Sequence, residues 1–152
     1  MQRTVLVVDD DESTRFVLSR VMEDLGCAVV AVDDGAGVAD LVAHQRFDLV
    51  VLDLHMPGMS GFEVLRQLHS PEGWMGDGCT TPTPAPVVVV SAETYPASIT
   101  HARRLGAAAY LAKPVDLGLL EYTAGELLGM CLTATAAATN APAVRQRPDF
   151  AP

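Results

Sequence analysis

The sequence is poor in cations: 10 lysines and arginines stand against 19 aspartates and glutamates in 152 residues, a formal charge of −9. Cationic patches supply most of the attraction to phosphate backbones and anionic membranes, so direct nucleic-acid or membrane binding is not expected. Long apolar runs are missing as well. Although 49% of the residues are hydrophobic, no uninterrupted stretch approaches the ~20 residues that a membrane-spanning helix needs. Before the acidic run Asp9, Asp10, Asp11, Glu12, only Thr4 to Val8 forms an apolar segment, too short for a signal peptide. A soluble, cytoplasmic protein is therefore expected. Cysteine is scarce: Cys27, Cys79 and Cys131 lie far apart, and neither they nor the four histidines show the paired spacing of a zinc site. They read as reduced thiols, Cys27 as a small buried apolar residue. The length suits one ordinary domain.

What is present is a rhythm. Five short apolar runs, Thr4 to Val8, Ala28 to Val32, Asp48 to Leu52, Val87 to Val90 and Ala108 to Ala112, alternate with helical patterns. Continuous rather than alternating apolar runs predict strands buried on both faces, as in a parallel sheet covered by helices. Val17, Leu18, Val21, Met22 and Leu25 repeat at helical spacing before Gly26, a natural C-cap. Val38, Leu41 and Val42 suggest a second helix, Phe62, Leu65 and Leu68 a third, and Ile99, Ala102 and Leu105 a fourth; a fifth is expected from about Asp116 to Met130. Strict alternation of strand and helix predicts an α/β fold with a parallel sheet and right-handed crossovers.

Two segments break the rhythm. Residues 70–86 hold four prolines and three glycines, which predicts a loop longer than usual for an α/β unit. Residues 131–152 are rich in Ala, Thr and Pro without an apolar period, the composition of a flexible tail.

Chemistry gathers where the strands end. Asp9 and Asp10 follow the first run, Asp53 the third, Ser91 the fourth and Lys113 the fifth. Parallel strands point the same way, so these residues converge on the carboxyl edge, where open sheets of this kind bind ligands. Any one of them alone would pass for a polar residue opening a loop; the set would not. Clustered carboxylates repel and call for a cation. An acidic cluster without His or Cys ligands suits Mg²⁺ better than zinc. Lys113 offers a mobile charge for a phosphate and Ser91 a hydroxyl donor, so the site has the parts for phosphoryl transfer onto an aspartate.

The segments VLVVDDDE, VVLDLHMPGMSG, VVVVSA and GAAAYLAKP together resemble the receiver domain of two-component response regulators, over about residues 2–130. The resemblance implies a flavodoxin-like (βα)5 fold with a doubly wound five-stranded parallel sheet in the order 2-1-3-4-5. It implies that Asp53 accepts a phosphoryl group from a sensor histidine kinase or phosphotransfer protein. Asp10, Asp53 and the main-chain carbonyl of His55 would hold Mg²⁺, for which Mn²⁺ could substitute, with Asp9 acting mainly through water. Ser91 and Lys113 would bind the phosphoryl group. Tyr110, three residues before the lysine, stands at the position of the family's switch aromatic, although a buried aromatic on the last strand reads equally well. His55 and Glu93 stand at positions that tune hydrolysis, and Lys113–Pro114 at a cis peptide. The output would be a protein target contacted through the fourth helix, last strand and fifth helix, and the resemblance also allows a homodimer.

Other readings stay open. A metal-dependent phosphatase with an aspartyl nucleophile would carry a second aspartate at the position of His55. A pseudo-receiver that binds without phosphorylation would not need the full residue set. The chain is either a single-domain regulator, catalysing no more than its own phosphorylation and dephosphorylation, or a receiver from a hybrid kinase or multidomain regulator. Trp74 reads as a cover over apolar surface or as a partner anchor, Asp11 as an outer-rim acid, and Arg103 and Arg104 as a solvated helix face.

Overall fold

A computed structural model describes residues 2–69 and 85–130. Five strands, β1 (Thr4–Val8), β2 (Ala28–Val32), β3 (Leu49–Leu52), β4 (Val87–Ser91) and β5 (Ala109–Ala112), alternate with α1 (Glu12–Asp24), α2 (Val38–His44), α3 (Gly61–Leu68), α4 (Pro96–Arg104) and α5 (Leu117–Leu127). The strands are all parallel and lie in the order β2-β1-β3-β4-β5, the flavodoxin-like arrangement expected.

Each strand sends alternate residues to opposite faces, and both faces are covered. Leu6, Val8, Val50, Leu52, Val87 and Val89 pack with Val38 and Val42 of α2, Val64, Leu65 and Leu68 of α3, and Ala102 of α4. Val5, Val7, Leu49, Val51, Val88 and Val90 pack on the other side with Leu18 and Met22 of α1 and Leu120 and Ala124 of α5. Full burial of one such side chain stabilises by about 1.5–3 kcal/mol. The valine-rich centre can therefore tolerate carboxylates at the strand tips.

Helix starts follow side-chain chemistry. Asp11 caps α1 by accepting the Thr14 N–H at 2.8 Å, Ser60 caps α3 through the Glu63 N–H, and Asp116 caps α5 through the Leu119 N–H. Gly26 closes α1 at φ +89°, a conformation few residues other than glycine adopt.

The sequence reading needs four adjustments. β2 is not buried on both faces: at this edge of the sheet Ala31 is exposed and the other four residues are only half-buried. β3 begins at Leu49, since the Asp48 carboxylate accepts the Thr4 N–H. Val17 is exposed, and the buried stripe of α1 rests on Leu18 and Met22. α5 ends at Leu127, short of Met130, and Asp116 is its cap rather than its first residue. Of the loop expected over 70–86, only Ala85 and Pro86 are described: Ala85 is buried, and the Pro86 carbonyl accepts the Val50 N–H. Trp74, Cys79 and the tail from residue 131 lie outside the described residues. Cys27 is buried as expected.

Candidate phosphoacceptor site

Strand register brings the acids together. Val8 pairs with Leu52, so the next residues, Asp9 and Asp53, stand side by side, and the Asp53 N–H donates to the Val8 carbonyl at 2.9 Å. On the other flank Ser91 pairs with Ala112, and the Lys113 N–H donates to the Ser91 carbonyl at 2.9 Å. Continuous pairing from β1 to β5 thus delivers Asp9, Asp53, Ser91 and Lys113 to one edge.

The side chains meet there. Asp9 is fully buried, Asp53 is 4% exposed and Asp10 faces solvent. Carboxylate oxygens of the three lie within 4.8 Å of one another. Lys113 Nζ bridges the two buried acids, 3.0 Å from Asp9 Oδ2 and 3.3 Å from Asp53 Oδ2. Asp53 Oδ1 accepts the His55 N–H at 3.2 Å.

Burial pushes the Asp53 carboxyl above its ordinary range; the His55 N–H and the Lys113 charge oppose this, and Asp9 reinforces it. For Lys113, burial favours the neutral amine, but Asp9 and Asp53 together outweigh it and hold the ammonium above its usual value.

Asp9 Oδ2 is buried without a well-formed hydrogen bond despite the nearby ammonium. One lysine facing two buried carboxylates and a third at the surface leaves negative charge uncompensated. A donor set of oxygens only, with an orphaned buried oxygen among them, fits a hard divalent cation.

Around the acids the remaining residues form a rim. Ser91 is fully buried, and its Oγ accepts the Glu93 N–H at 3.1 Å. Tyr110 is also buried, donating its hydroxyl to the Glu93 carbonyl; burial raises its pKa while a hydrogen bond with Ser91 works against the rise. His55 Nε2 lies 3.0 Å from Glu93 Oε2, so the two expected tuning residues join the β3 and β4 loops across the edge. Lys113–Pro114 is cis. Asp11 caps α1 and is not in the acidic cluster.

Two residues escaped the sequence reading. Gly61 opens α3 directly over the strand end: a Cβ there would lie 2.3 Å from the Asp53 carbonyl oxygen and 2.4 Å from Leu54 Cα. Its signal was the glycine eight residues after Asp53. Arg15 Nη1 donates to the Asp9 main-chain carbonyl at 2.9 Å. Its signal was an arginine one helical turn beyond the acidic run.

A parallel five-stranded sheet carrying three clustered carboxylates, a lysine and a hydroxyl at its carboxyl edge places the chain among open α/β folds whose ligand site lies at that edge. The family model of the response regulator receiver domain matches residues 5–124, and the chain belongs to that family. It is 41% identical over 123 residues to the sensory/regulatory protein RpfC of Xanthomonas campestris, covering 81% of this chain and 16% of RpfC. It is 32% identical over 118 residues to the DNA-binding transcriptional regulator NtrC of Escherichia coli, covering 77% of this chain and 23% of NtrC. The chain therefore spans less than a quarter of either relative. Chemotaxis protein CheY4 of Vibrio cholerae has a similar structure, with a TM-score of 0.71 and 27% identity over 84% of this chain and 99% of CheY4. Receiver domains are signalling domains that bind Mg²⁺ at an acidic site and interact with histidine kinases or phosphotransfer proteins. Among the described residues no helix is long and apolar enough to cross a membrane.

Proposed function

We propose that Asp53 accepts a phosphoryl group from a histidine kinase or phosphotransfer protein and that the modified domain changes its affinity for a protein partner. The observation that carries this is the shared lysine: Lys113 spans Asp9 and Asp53 at 3.0 and 3.3 Å. Its charge is already at the atom to be modified and can follow the negative charge outward onto the new group.

In the transfer, an Asp53 carboxylate oxygen forms a bond to phosphorus while the P–N bond of the donor phosphohistidine breaks and its electron pair returns to the imidazole. The His55 N–H holds Asp53 Oδ1 in place. Asp10, Asp53 and the His55 carbonyl would hold Mg²⁺, with Asp9 acting through water, and the ion would supply positive charge to the transferred group. The Ser91 Oγ accepts from Glu93, and its hydroxyl, hydrogen-bonded to Tyr110 in this state, would turn to donate to a phosphoryl oxygen. His55 and Glu93, paired across the edge, stand where they would control access of hydrolytic water. Phe16 and Val17, exposed at 66% and 38% near the start of α1, offer apolar surface to an arriving donor protein.

Tyr110 is already buried with its hydroxyl on the Glu93 carbonyl, so phosphorylation does not have to open a void for it. The new acceptor oxygens would instead draw on Ser91 and, through the Ser91–Glu93 turn, stabilise the arrangement in place. A shift of about 1–3 kcal/mol of this kind changes a partner's affinity by roughly 5- to 150-fold. The responding surface comprises α4, β5 and α5. The similarity to RpfC and NtrC supports a receiver within a larger sensory or DNA-binding protein, and the similarity to CheY4, matched over 99% of its chain, supports a stand-alone regulator.

Incubation with a phosphorylated donor and Mg²⁺ tests the reading. Uptake of one phosphoryl group per chain, abolished by chelation, supports it. Repeated turnover of a small phosphoester would place the chain among aspartyl phosphatases instead.

A further inference from the structure

Arg15 stands in the first turn of α1, just past the acidic run; its charge helps lower the pKa of the exposed Asp11 carboxyl, but among the described residues its guanidinium forms no ion pair with a carboxylate. Its guanidinium donates to the main-chain carbonyl of Asp9 at 2.9 Å. Three other contacts surround that residue. The Asp9 N–H donates to the Val32 carbonyl at 3.2 Å, Asp9 Oδ1 accepts the Asp11 N–H at 2.9 Å, and Asp9 Oδ2 faces Lys113. The Asp9 carbonyl belongs to the peptide plane joining Asp9 to Asp10, so the atom Arg15 holds sets the direction in which the exposed Asp10 leaves the strand. Asp10 has no comparable anchor of its own among the described contacts. Arg15 is half-buried on α1, a helix anchored at its start by the Asp11 cap. The guanidinium is thus presented from a fixed element rather than a loop.

We propose that Arg15 is a positioning residue: by clamping the Asp9–Asp10 peptide it holds the Asp10 carboxylate toward Asp9 and Asp53, and so raises the affinity of the site for a divalent cation. This rests on the reading of the acidic triad as the Mg²⁺ site. Charge and geometry predict opposite signs for the loss of Arg15. A cation near three carboxylates repels a second cation, so on electrostatics alone removing Arg15 would tighten Mg²⁺ binding. If orientation dominates, removing it loosens binding, as happens when groups that orient metal ligands are deleted.

Mg²⁺ titrations of the unphosphorylated protein by calorimetry decide between them, with circular dichroism and metal-free melting confirming that each variant is folded. Arg15→Ala is expected to weaken binding by about tenfold, the lower end for such orienting groups. Arg15→Lys, which keeps the charge and one donor, is expected to recover part of the loss, a rescue that a general packing role would not give. Arg15→Ala binding Mg²⁺ as tightly as the unaltered protein, or more tightly, overturns the proposal. Asp10→Asn serves as the independent control: if it leaves Mg²⁺ affinity unchanged, the metal-site reading itself fails, whatever Arg15 does.

Discussion

Asp53 must be accessible enough to react and yet sits 4% exposed among valines and leucines, with Asp9 beside it. Burial is the largest influence on its carboxyl and raises its pKa above the ordinary 3.8. The folded state binds this proton more tightly than the unfolded chain, so Asp53 costs stability as pH rises from 3.8 through its raised folded pKa, and the cost persists at neutral pH. Asp53→Asn removes the buried charge in an isosteric side chain. Taking the low end of what poorly compensated polar burial costs, about 1 kcal/mol, the metal-free variant should melt about 3–5 °C above the unaltered protein at neutral pH. Mg²⁺ should narrow or reverse the order, because a ligand at a hundred times its Kd stabilises by about 2.7 kcal/mol and the variant lacks one carboxylate. Calorimetric melts with and without Mg²⁺ check both signs; a variant less stable without metal would show that the Lys113 contact outweighs the burial cost.

At the scale of elements, the site depends on how α3 leaves β3. Gly61 brings the start of α3 onto the Asp53 carbonyl and the Leu54 backbone, and its own N–H donates to the Leu54 carbonyl at 2.9 Å. A methyl group there meets backbone rather than a flexible side chain, so the helix or the strand end must move. Gly61→Ala should destabilise by about 3 kcal/mol, at the upper end for overpacking, whereas Ser60→Ala, which loses only the cap of the same helix, should cost about 1 kcal/mol. Denaturant unfolding of the two variants measures the difference, and equal costs would mean that α3 gives way without disturbing Asp53. Neither contact could be read from the sequence. The periodicity of Phe62, Leu65 and Leu68 reveals a helix, but how closely its first turn approaches a strand is set by the chain on both sides. The half-burial of β2 was not legible from its own residues, because Ala28 to Val32 is as apolar as the central runs; its edge position came only from the order 2-1-3-4-5 that the resemblance implied.

For the whole molecule, the residues most legible in the sequence were those whose role is tied to a strand end. Asp9, Asp10, Asp53, Ser91 and Lys113 each follow an apolar run, and parallel strands in register make a sequence position into a place in space. Arg15 and Gly61 were not legible in this way, because their contacts are to main-chain atoms and carry no pattern of residue types. Tyr110 was legible as a buried aromatic on the last strand as well as a switch residue, and it is buried there; what the sequence did not show is its hydroxyl on the Glu93 carbonyl, which depends on the packing of β5 against the β4 loop. The −9 charge likewise gains meaning only from placement, since three of the acids face one another within 4.8 Å at the edge where a cation and a phosphoryl group would be received.

Donor-dependent labelling of the unaltered protein and Asp53→Asn side by side, with mass spectrometry of the labelled peptide, asks whether Asp53 is the acceptor. A single phosphoryl group is expected on the peptide containing Asp53 and none on the folded Asp53→Asn protein. Labelling of Asp53→Asn at the normal rate, or a phosphoryl group found on another residue of the unaltered protein, would contradict that assignment.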